Sequence, residues 1–226
     1  MNNKLKNKFL FIDFDSTFIK TETLDELAKI ALKDDPNKIK KIDLIAELTN
    51  KAMCGEISFS EALINRLNIL NITSKHIQLV TQVVSNQISN SVKRNKDFFK
   101  LHSDNIWIIS GGFKQVIYPC VASYGIKIEH ILANDLIISS EKVNGINIKN
   151  PMSQDKGKIK VINSLNVGSE SYMIGDGYTD YEVYIEKASS HFIYFSENIL
   201  RDKVASKAKL HAKSFEEVMK IIYQKS

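Results

Sequence analysis

Residues 9–17 read FLFIDFDST, and this stretch decides the fold. Four apolar residues followed at once by an acidic one are typical of a short buried strand that ends at a polar edge. The same pattern returns at 106–110 (IWIIS) and at 172–175 (YMIG), and helical periodicity separates the repeats. Alternating strands and helices predict an α/β fold, a Rossmann-like parallel sheet flanked by helices. A small β-hairpin is predicted at 136–148.

A long segment between the first two predicted strands has the periodicity of consecutive helices. It carries the capping-box spacing twice, as Thr23 with Glu26 and as Ser58 with Glu61. We interpret this segment as an inserted helical cap. The predicted boundaries are 18–88 for the cap, and 1–17 with 89–226 for the core.

The composition is that of an ordinary globular chain. Of its 226 residues, 43% are hydrophobic and 25% are charged, which excludes a disordered or fibrous chain. No apolar run approaches the roughly 18 residues of a membrane span. The apolar run after the basic N-terminal residues stops at Asp13, too early for a secretory signal. Cys54 and Cys120 lack the spacing of a zinc or CxxC site, so we expect reduced thiols and a cytoplasmic protein.

The charge balance permits a basic binding module. Lys and Arg number 31 against 26 Asp and Glu, a formal net charge of +5. Such a surplus is compatible with nucleic-acid binding. The lysines are spread along the chain without interleaved aromatic residues, however, which favours a solvated surface. We expect no nucleic-acid or membrane partner, and the sequence carries no signal for an oligomeric state.

Two pairs of carboxylates follow predicted strands. Asp13 and Asp15 stand two residues apart after the first strand, and Asp176 and Asp180 follow a later one. The carboxyl ends of parallel strands meet at one edge of a sheet, so these side chains are expected to share a crevice. Unit charges 4 Å apart repel by about 4 kcal/mol even at an effective dielectric constant of 20, so the crevice calls for a cation or a proton between the carboxylates. Oxygen ligands without histidine favour Mg²⁺.

Two further clusters can bind an anion. Ser110, Gly111 and Gly112 offer a hydroxyl and backbone N–H groups where a strand gives way to a helix. Lys156 brings an ammonium to another helix start, and Lys158 is the alternative lysine. Carboxylates that face anion donors define a phosphate site, for which phosphoryl transfer is the natural chemistry.

These residues, in this order, resemble the phosphatases of the haloacid dehalogenase superfamily, whose pattern is DxDx(T/V), then Ser or Thr, then Lys, then paired acids. The strings at 13–17 (DFDST), 110–113 (SGGF) and 175–177 (GDG) are most similar to the subfamily that hydrolyses O-phospho-L-serine, the phosphoserine phosphatases. That subfamily also carries a cap after its first strand. The resemblance implies a haloacid dehalogenase-like catalytic core, a Mg²⁺ cofactor, and a small phosphorylated metabolite, O-phospho-L-serine, as the substrate in L-serine biosynthesis.

The resemblance also implies a role for each matching residue. Asp13 is the nucleophile that forms an aspartyl-phosphate, and Asp15 is the general acid and then the general base. The Mg²⁺ ligands are Asp13, the backbone carbonyl of Asp15, and Asp176, with Thr179 and Asp180 in support. The phosphoryl oxygens are bound by Ser110, Gly111, Gly112 and Lys156, of which Lys156 also counts as catalytic.

Cap residues are expected to recognise the organic part of the substrate. Arg66 lies on the apolar stripe of its predicted helix, where an inward arginine needs an anion such as a carboxylate. Glu22 lies just before the first cap helix and can meet an ammonium. By resemblance, the substrate-binding residues are Glu22, Met53, Phe59 and Arg66. Cys54 replaces the subfamily's usual glycine after the methionine, so the alternative is another small phosphorylated substrate, or transfer of its phosphoryl group to an alcohol.

Each cluster also has a plain structural interpretation. A DxD at a strand end can be a turn or a helix cap, Glu22 can complement a helix dipole, and Arg66 can snorkel or pair with a structural acid. Asn134 can support the site or merely form a turn. Because all four clusters occur in the family's order, we favour the enzyme over a catalytically idle scaffold.

Overall fold

A six-stranded parallel sheet forms the centre of the fold. The computed structural model describes residue 5, residues 7–167 and residues 170–224, so both ends of the predicted core lie partly outside the described residues. The strands are β1 (Lys8–Ile12), β2 (Ile106–Phe113), β3 (Ile131–Asn134), β4 (Leu136–Ser139), β5 (Lys142–Ile146), β6 (Glu170–Gly175), β7 (His191–Phe195) and β8 (Leu210–Ala212). The sheet order is β3-β2-β1-β6-β7-β8, which confirms the predicted α/β class.

Helices cover both faces of this sheet. They are α1 (Thr23–Ala31), α2 (Lys38–Met53), α3 (Phe59–Ile69), α4 (Ser74–Ser85), α5 (Asn90–Arg94), α6 (Lys96–Leu101), α7 (Lys114–Val121), α8 (Gly157–Ser164), α9 (Tyr178–Ile185), α10 (Asp202–Ala205) and α11 (Phe215–Gln224). Successive side chains of a strand face opposite sides, so Leu10 and Ile12 pack into one apolar cluster and Phe11 into the other. No helix found within the described ranges is long and apolar enough to cross a membrane.

Helices α1 to α4 lie between β1 and β2, in the segment predicted as a cap. Ile19 and Ile88 form an antiparallel bridge where the chain leaves for these helices and where it returns. We propose that this bridge marks the ends of a cap at 18–88.

The predicted hairpin is confirmed as the antiparallel pair β4 and β5. Ser140 and Glu141 form its turn and both have positive φ angles, 47° and 64°. The hairpin contacts the cap, because Thr73 pairs with Lys142 and the backbone N–H of Ser74 donates to the carbonyl of Glu141 at 2.8 Å. The cap therefore touches the core at the hairpin as well as at its own two ends.

One of the two predicted capping boxes is wrong. Helix α1 begins at Thr23 itself, with Glu22 in the cap position, and the Thr23 hydroxyl donates to Asp15 instead of capping the helix. The other prediction holds at its N-cap, since the Ser58 hydroxyl accepts from the backbone N–H of Glu61 at 3.2 Å. Local spacing alone could not show that a carboxylate outside the helix competes for Thr23.

Candidate active site

Asp13 and Asp15 lie at the carboxyl edge of the sheet. Asp13 follows β1 directly, is 3% exposed, and donates its backbone N–H to the carbonyl of Ile174 in β6 at 2.9 Å. A tight turn over Phe14–Phe18 comes next, in which Asp15 is extended and Ser16 has a positive φ of 53°. The turn keeps Asp15 close enough to Asp13 for the charge of one carboxylate to act on the other.

Thr23 holds the carboxyl group of Asp15. Oδ1 of Asp15 accepts from the backbone N–H of Thr23 at 2.9 Å and also from its hydroxyl. Burial, aided by the Asp13 charge, raises the pKa of Asp15 to about 7 against the two Thr23 bonds, which lower it. Both protonation states of Asp15 are therefore accessible near neutral pH, as a group that first donates and then accepts a proton requires.

Lys158 contacts the carboxylates at the edge of the sheet. Its Nζ lies 2.9 Å from Oδ1 of Asp13 and 2.6 Å from Oδ1 of Asp180, and the residue is 7% exposed. Burial alone would lower the pKa of Lys158, but the two carboxylates outweigh burial and raise it above its usual value. Lys158 is therefore a fixed ammonium beside Asp13.

Of the two candidate phosphate lysines, this geometry favours Lys158 over Lys156. Lys156 occupies the cap position of α8 with a left-handed φ of 59°, and its half-exposed side chain pairs with Glu186 at 2.5 Å. The helix begins at Gly157, so Lys156 and Lys158 leave the backbone in different directions. Of the two lysines that the sequence left open, Lys158 is the one that contacts Asp13 and Asp180.

Asp176 and Asp180 follow β6, as their spacing predicts. Asp180 is fully buried, and its Oδ2 accepts from the backbone N–H of Gly177 at 3.0 Å, while its Oδ1 accepts from Lys158. Burial and the Asp13 charge raise the pKa of Asp180 to about 8. Gly175 has to be glycine, because a Cβ there would overlap the Asp180 carboxylate. Thr179 lies between Asp176 and Asp180 in the sequence and is half-buried on α9.

The segment Ser110 to Gly112 belongs to β2, which ends at Phe113, four residues beyond the apolar run. The Ser110 hydroxyl is buried and accepts from the backbone N–H of Gly112 at 3.0 Å. Asn134, at the end of β3, donates its Nδ2 to the carbonyl of Gly111 at 2.8 Å, which fixes the backbone that carries the Gly111 N–H. Asn134 therefore supports the site, the first of the two interpretations that the sequence allowed.

Arg201 is a site residue that the sequence analysis missed. It is 6% exposed, and its Nε donates to Oδ2 of Asp176 at 2.7 Å. Its two terminal nitrogens donate to Oε1 of Glu22 at 3.1 Å and to Oδ1 of Asn50 at 3.2 Å. Arg201 thus connects the core carboxylate Asp176 with the start of the cap. A signal existed: the apolar run FIYF at 192–195 precedes Ser196, much as the run at 106–109 precedes Ser110.

Glu22 therefore already has a cationic partner. Its Oε1 also accepts from the Ser16 hydroxyl at 2.7 Å. Burial and the charges of Asp15 and Asp176 raise the pKa of Glu22, and Arg201 opposes them. Oε2 of Glu22 has no hydrogen bond to any described residue, so one oxygen remains for a ligand.

Arg66 is buried, as its place on the apolar stripe predicts, with 4% of its surface exposed. Its Nε donates to the carbonyl of Ala62, and its Nη1 donates to the Thr49 hydroxyl, both at 3.1 Å. In the described part of the chain it forms no ion pair with a carboxylate. Burial lowers the pKa of Arg66, against the charges of Glu22, Asp25 and Asp15. A buried guanidinium with one free nitrogen is suited to an anionic ligand.

The remaining cap residues lie at the junction with the core. Sδ of Met53 lies 2.8 Å from the position that a Cβ on Gly177 would occupy, so Met53 packs against the loop after β6. Phe59 begins α3, but its side chain lies outside the described part of the structure. Cys54 is half-buried at the end of α2. A cavity of about 350 Å³ opens between cap and core, lined among others by Gly55, Ser58, Gly111, Lys158 and Tyr178.

The acidic groups fit a metal ion. Asp13, Asp176 and Asp180 each offer a carboxylate oxygen within 4.8 Å of the others, and all three are buried. A donor set of oxygens alone suits a hard divalent cation such as Mg²⁺. Burial raises the pKa of Asp176 as well as that of Asp180, a penalty that a bound cation would offset.

A haloacid dehalogenase-like hydrolase family profile matches residues 10–183, the range that contains every one of the four motifs. The chain therefore belongs to the haloacid dehalogenase-like hydrolases. Its parallel sheet, with polar groups gathered at the carboxyl edge, is the fold expected of that family.

Relatives within the family indicate which class of hydrolase this chain belongs to. The chain is 30% identical over 219 residues to a phosphoserine phosphatase of Drosophila melanogaster, covering 95% of this chain and 77% of the relative. It is 28% identical over 211 residues to the human phosphoserine phosphatase, covering 92% and 89%. The chain is a phosphoric monoester hydrolase similar to phosphoserine phosphatases.

Solved structures agree with this class. A phosphoserine phosphohydrolase-like protein from Francisella tularensis superposes with a TM-score of 0.85 at 30% identity, covering 95% of this chain and 99% of that one. A substrate-bound phosphoserine phosphatase superposes with a TM-score of 0.77 at 19% identity, covering 98% and 99%. At 19% identity, the similarity to this second structure shows the fold alone.

Proposed function

We propose that this chain is a Mg²⁺-dependent phosphatase that hydrolyses O-phospho-L-serine to L-serine and phosphate, through an aspartyl-phosphate on Asp13. In this role it would serve L-serine biosynthesis. The observation that carries the proposal is the buried row of Asp13, Lys158 and Asp180, joined by contacts of 2.9 and 2.6 Å, with Oδ2 of Asp15 beside Gly112 near the end of β2.

Asp13 is the proposed nucleophile. Its Oδ1 accepts from the backbone N–H of Phe14 at 2.8 Å and pairs with Lys158, so that oxygen is held in place. Its Oδ2 has no hydrogen bond to any described residue and is the oxygen we assign to attack on phosphorus. The phosphoryl oxygens would then meet the Lys158 ammonium, the Ser110 hydroxyl and the Gly111 N–H.

Asp15 is the proposed general acid and base. Its Oδ2 lies 3.4 Å from the position that a Cβ on Gly112 would occupy, which puts that oxygen next to the anion-binding segment. With the pKa of Asp15 at about 7, its protonated form can donate to the leaving alkoxide. The resulting carboxylate can then take a proton from the water that hydrolyses the aspartyl-phosphate.

The proposed Mg²⁺ ligands are Asp13, the backbone carbonyl of Asp15, and Asp176. When bound, the ion supplies positive charge that offsets the charge of the phosphoryl group. By the family resemblance we assign Asp180 the supporting role, with Thr179 on the same helical turn, since Asp180 accepts from the Lys158 ammonium and from the backbone N–H of Gly177. Arg201 would hold Asp176 in orientation from the opposite side.

Substrate recognition is assigned to the cap. The free nitrogen of Arg66 would receive the carboxylate of the substrate, and Oε2 of Glu22 would receive its ammonium. Met53 and Phe59 are assigned to the same pocket by resemblance. Cys54, half-buried at the end of α2, supports the second candidate, a different small phosphomonoester or transfer of the phosphoryl group to an alcohol.

The experiment is a measurement of phosphate release from O-phospho-L-serine with Mg²⁺ and with excess chelator, using the wild-type chain and Asp13→Asn. We expect Mg²⁺-dependent release and a loss of about 10⁴-fold in Asp13→Asn, because the amide cannot attack phosphorus. A panel with sugar phosphates runs in parallel. Turnover in excess chelator or in Asp13→Asn would contradict the mechanism, and preference for a sugar phosphate would contradict the substrate.

A further inference from the structure

The cap and the core meet at the mouth of the cavity through a hydrogen-bonded contact. Oδ1 of Asp155, on the loop before α8, accepts from the backbone N–H of Ser60 at 3.1 Å and from its hydroxyl at 2.5 Å. Ser60 lies in the first turn of α3. An exposed ion pair between Glu56 and Lys203, 2.5 Å long, spans the same junction.

Asp155 lies outside the cap and accepts a hydrogen bond from the first turn of a cap helix, α3. The first N–H groups of an α-helix have no partner within the helix. In α3, the Ser58 hydroxyl accepts from the N–H of Glu61, and Asp155 accepts from that of Ser60. A negative charge at this end also interacts favourably with the helix dipole. The Ser60 hydroxyl bond is the main cause that lowers the pKa of Asp155, so the carboxylate is charged at neutral pH.

This contact joins two elements that carry site residues. Ser60 lies six residues before Arg66 on α3, and Asp155 lies three residues before Lys158 at the start of α8. Ser58, Asp155 and Lys158 all line the cavity between cap and core. The contact is exposed and consists of two hydrogen bonds donated by one residue.

We propose that Asp155 is a positioning residue: its contact with Ser60 holds α3, and with it Arg66, against the phosphate site. The inference rests on the proposed function, since it assigns Arg66 to the carboxylate of the substrate. Asp155 acts through α3 and touches neither the phosphoryl group nor the proposed metal ligands.

The first test compares two substrates, O-phospho-L-serine and ethyl phosphate, which lacks the groups that Arg66 and Glu22 would bind. Asp155→Ala should raise KM for O-phospho-L-serine about fivefold, the worth of an exposed charge-assisted contact, with kcat within twofold. KM for ethyl phosphate should change less than twofold. An equal rise for both substrates would show that Asp155 does not act through Arg66 and would overturn the proposal.

A double-mutant cycle identifies the partner. Ser60→Ala keeps the backbone N–H donor, so its effect should be smaller than that of Asp155→Ala. The double variant should nearly match Asp155→Ala alone, because the other contact of the Ser60 hydroxyl, with the Ser58 hydroxyl at 3.5 Å, is at the limit of hydrogen bonding. Independent, additive losses would contradict a shared contact.

Amide hydrogen exchange tests the contact without any substrate. In Asp155→Ala, the amides of residues 54–61 should exchange about fivefold faster, since the start of α3 loses its anchor. The matched control is Asp35→Ala: Asp35 also accepts from a backbone N–H, that of Asn37 at 2.7 Å, and from Lys41 at 2.7 Å, but entirely within the cap. It should leave residues 54–61 unchanged.

The two kinds of failure are distinguishable. Unchanged exchange at 54–61 in Asp155→Ala refutes the positioning role even in an enzyme that hydrolyses O-phospho-L-serine. If wild type leaves that compound intact, the proposed substrate fails, and faster exchange in Asp155→Ala still supports the contact between α3 and the core.

Discussion

The two halves of the site are held in different ways. In the phosphate half, Asp13, Ser110 and Asp176 stand at or just beyond the ends of neighbouring parallel strands, so the sheet register places them. In the cap half, Glu22 and Arg66 depend on partners from distant segments, such as Arg201 and Thr49. Chemistry at strand ends is therefore readable from local pattern, whereas substrate recognition depends on how the cap packs.

The largest effect is expected when the two candidate phosphate lysines, Lys156 and Lys158, are replaced one at a time. Lys158→Ala should lower kcat/KM for every phosphomonoester by about 10³-fold, since it removes the charge that faces the phosphoryl group. Lys156→Ala should change it less than threefold, because only an exposed ion pair with Glu186 is lost. Steady-state kinetics of both variants decide the matter, and a larger loss in Lys156→Ala would reverse the assignment.

The cap half predicts a selective effect. Arg66→Ala should lower kcat/KM for O-phospho-L-serine about 10²-fold while ethyl phosphate loses less than fivefold, because only the first substrate offers a carboxylate. Arg66→Lys should recover part of the loss, since a lysine keeps the charge without the planar fork.

The control for Arg66 is Arg94→Ala, which breaks the exposed pair between Arg94 and Glu216. This variant should behave as wild type on both substrates. Should Arg66→Ala impair both substrates equally, Arg66 would be a structural residue of the cap and not a reader of the substrate.

A smaller effect is expected from the support behind the phosphate half. Asn134→Ala removes the hydrogen bond to the Gly111 carbonyl and should reduce kcat/KM about tenfold for both substrates. Asn105→Ala is the matched control, since Asn105 donates to the carbonyl of Lys8 at 3.1 Å, away from the carboxyl edge. Equal losses in the two variants would assign the Asn134 effect to general destabilisation.

The buried carboxylates predict how stability depends on pH. The pKa of Asp15 is raised to about 7 and that of Asp180 to about 8, while burial also raises those of Glu22 and Asp176. In the folded state these carboxyl groups keep their protons above about pH 4, where the unfolded chain has released them. The free energy of unfolding therefore falls as the pH rises from about 4 to about 8. Without metal, Tm should be about 5 °C lower at pH 8 than at pH 6.

Mg²⁺ should narrow that gap, because it binds the ionised carboxylates that are unfavourable without it. Thermal unfolding with and without Mg²⁺ at both pH values checks the expectation. A metal-free protein that is more stable at pH 8 would contradict the sign, and an equal Mg²⁺ effect at both pH values would contradict binding at these acids.

Most of the fold and of the phosphate half follows from short patterns. The run before Asp13 and the glycines around Asp176 need only local geometry to be interpreted. The choice between Lys156 and Lys158 does not, because it depends on a left-handed residue that sets where α8 begins. Thr23 shows the same limit, since its hydroxyl serves Asp15 and not its own helix.

Arg201 could have been anticipated in part. The mostly apolar residues 191–195 predict another strand that ends at the same edge of the sheet. The arginine follows six residues later, however, and its contacts with Asp176 and Asn50 depend on tertiary packing. The proposed substrate recognition in this sense depends on two distant chain segments, which no single window of sequence contains.

The bridge between Ile19 and Ile88 has a consequence for how such enzymes diversify. Departure and return of the chain are adjacent there, so the polypeptide enters and leaves the insert at one junction next to the sheet. Inserts of other lengths can be grafted at such a junction without disturbing strand order. New specificities can therefore arise by exchanging this module while the reaction centre below stays the same.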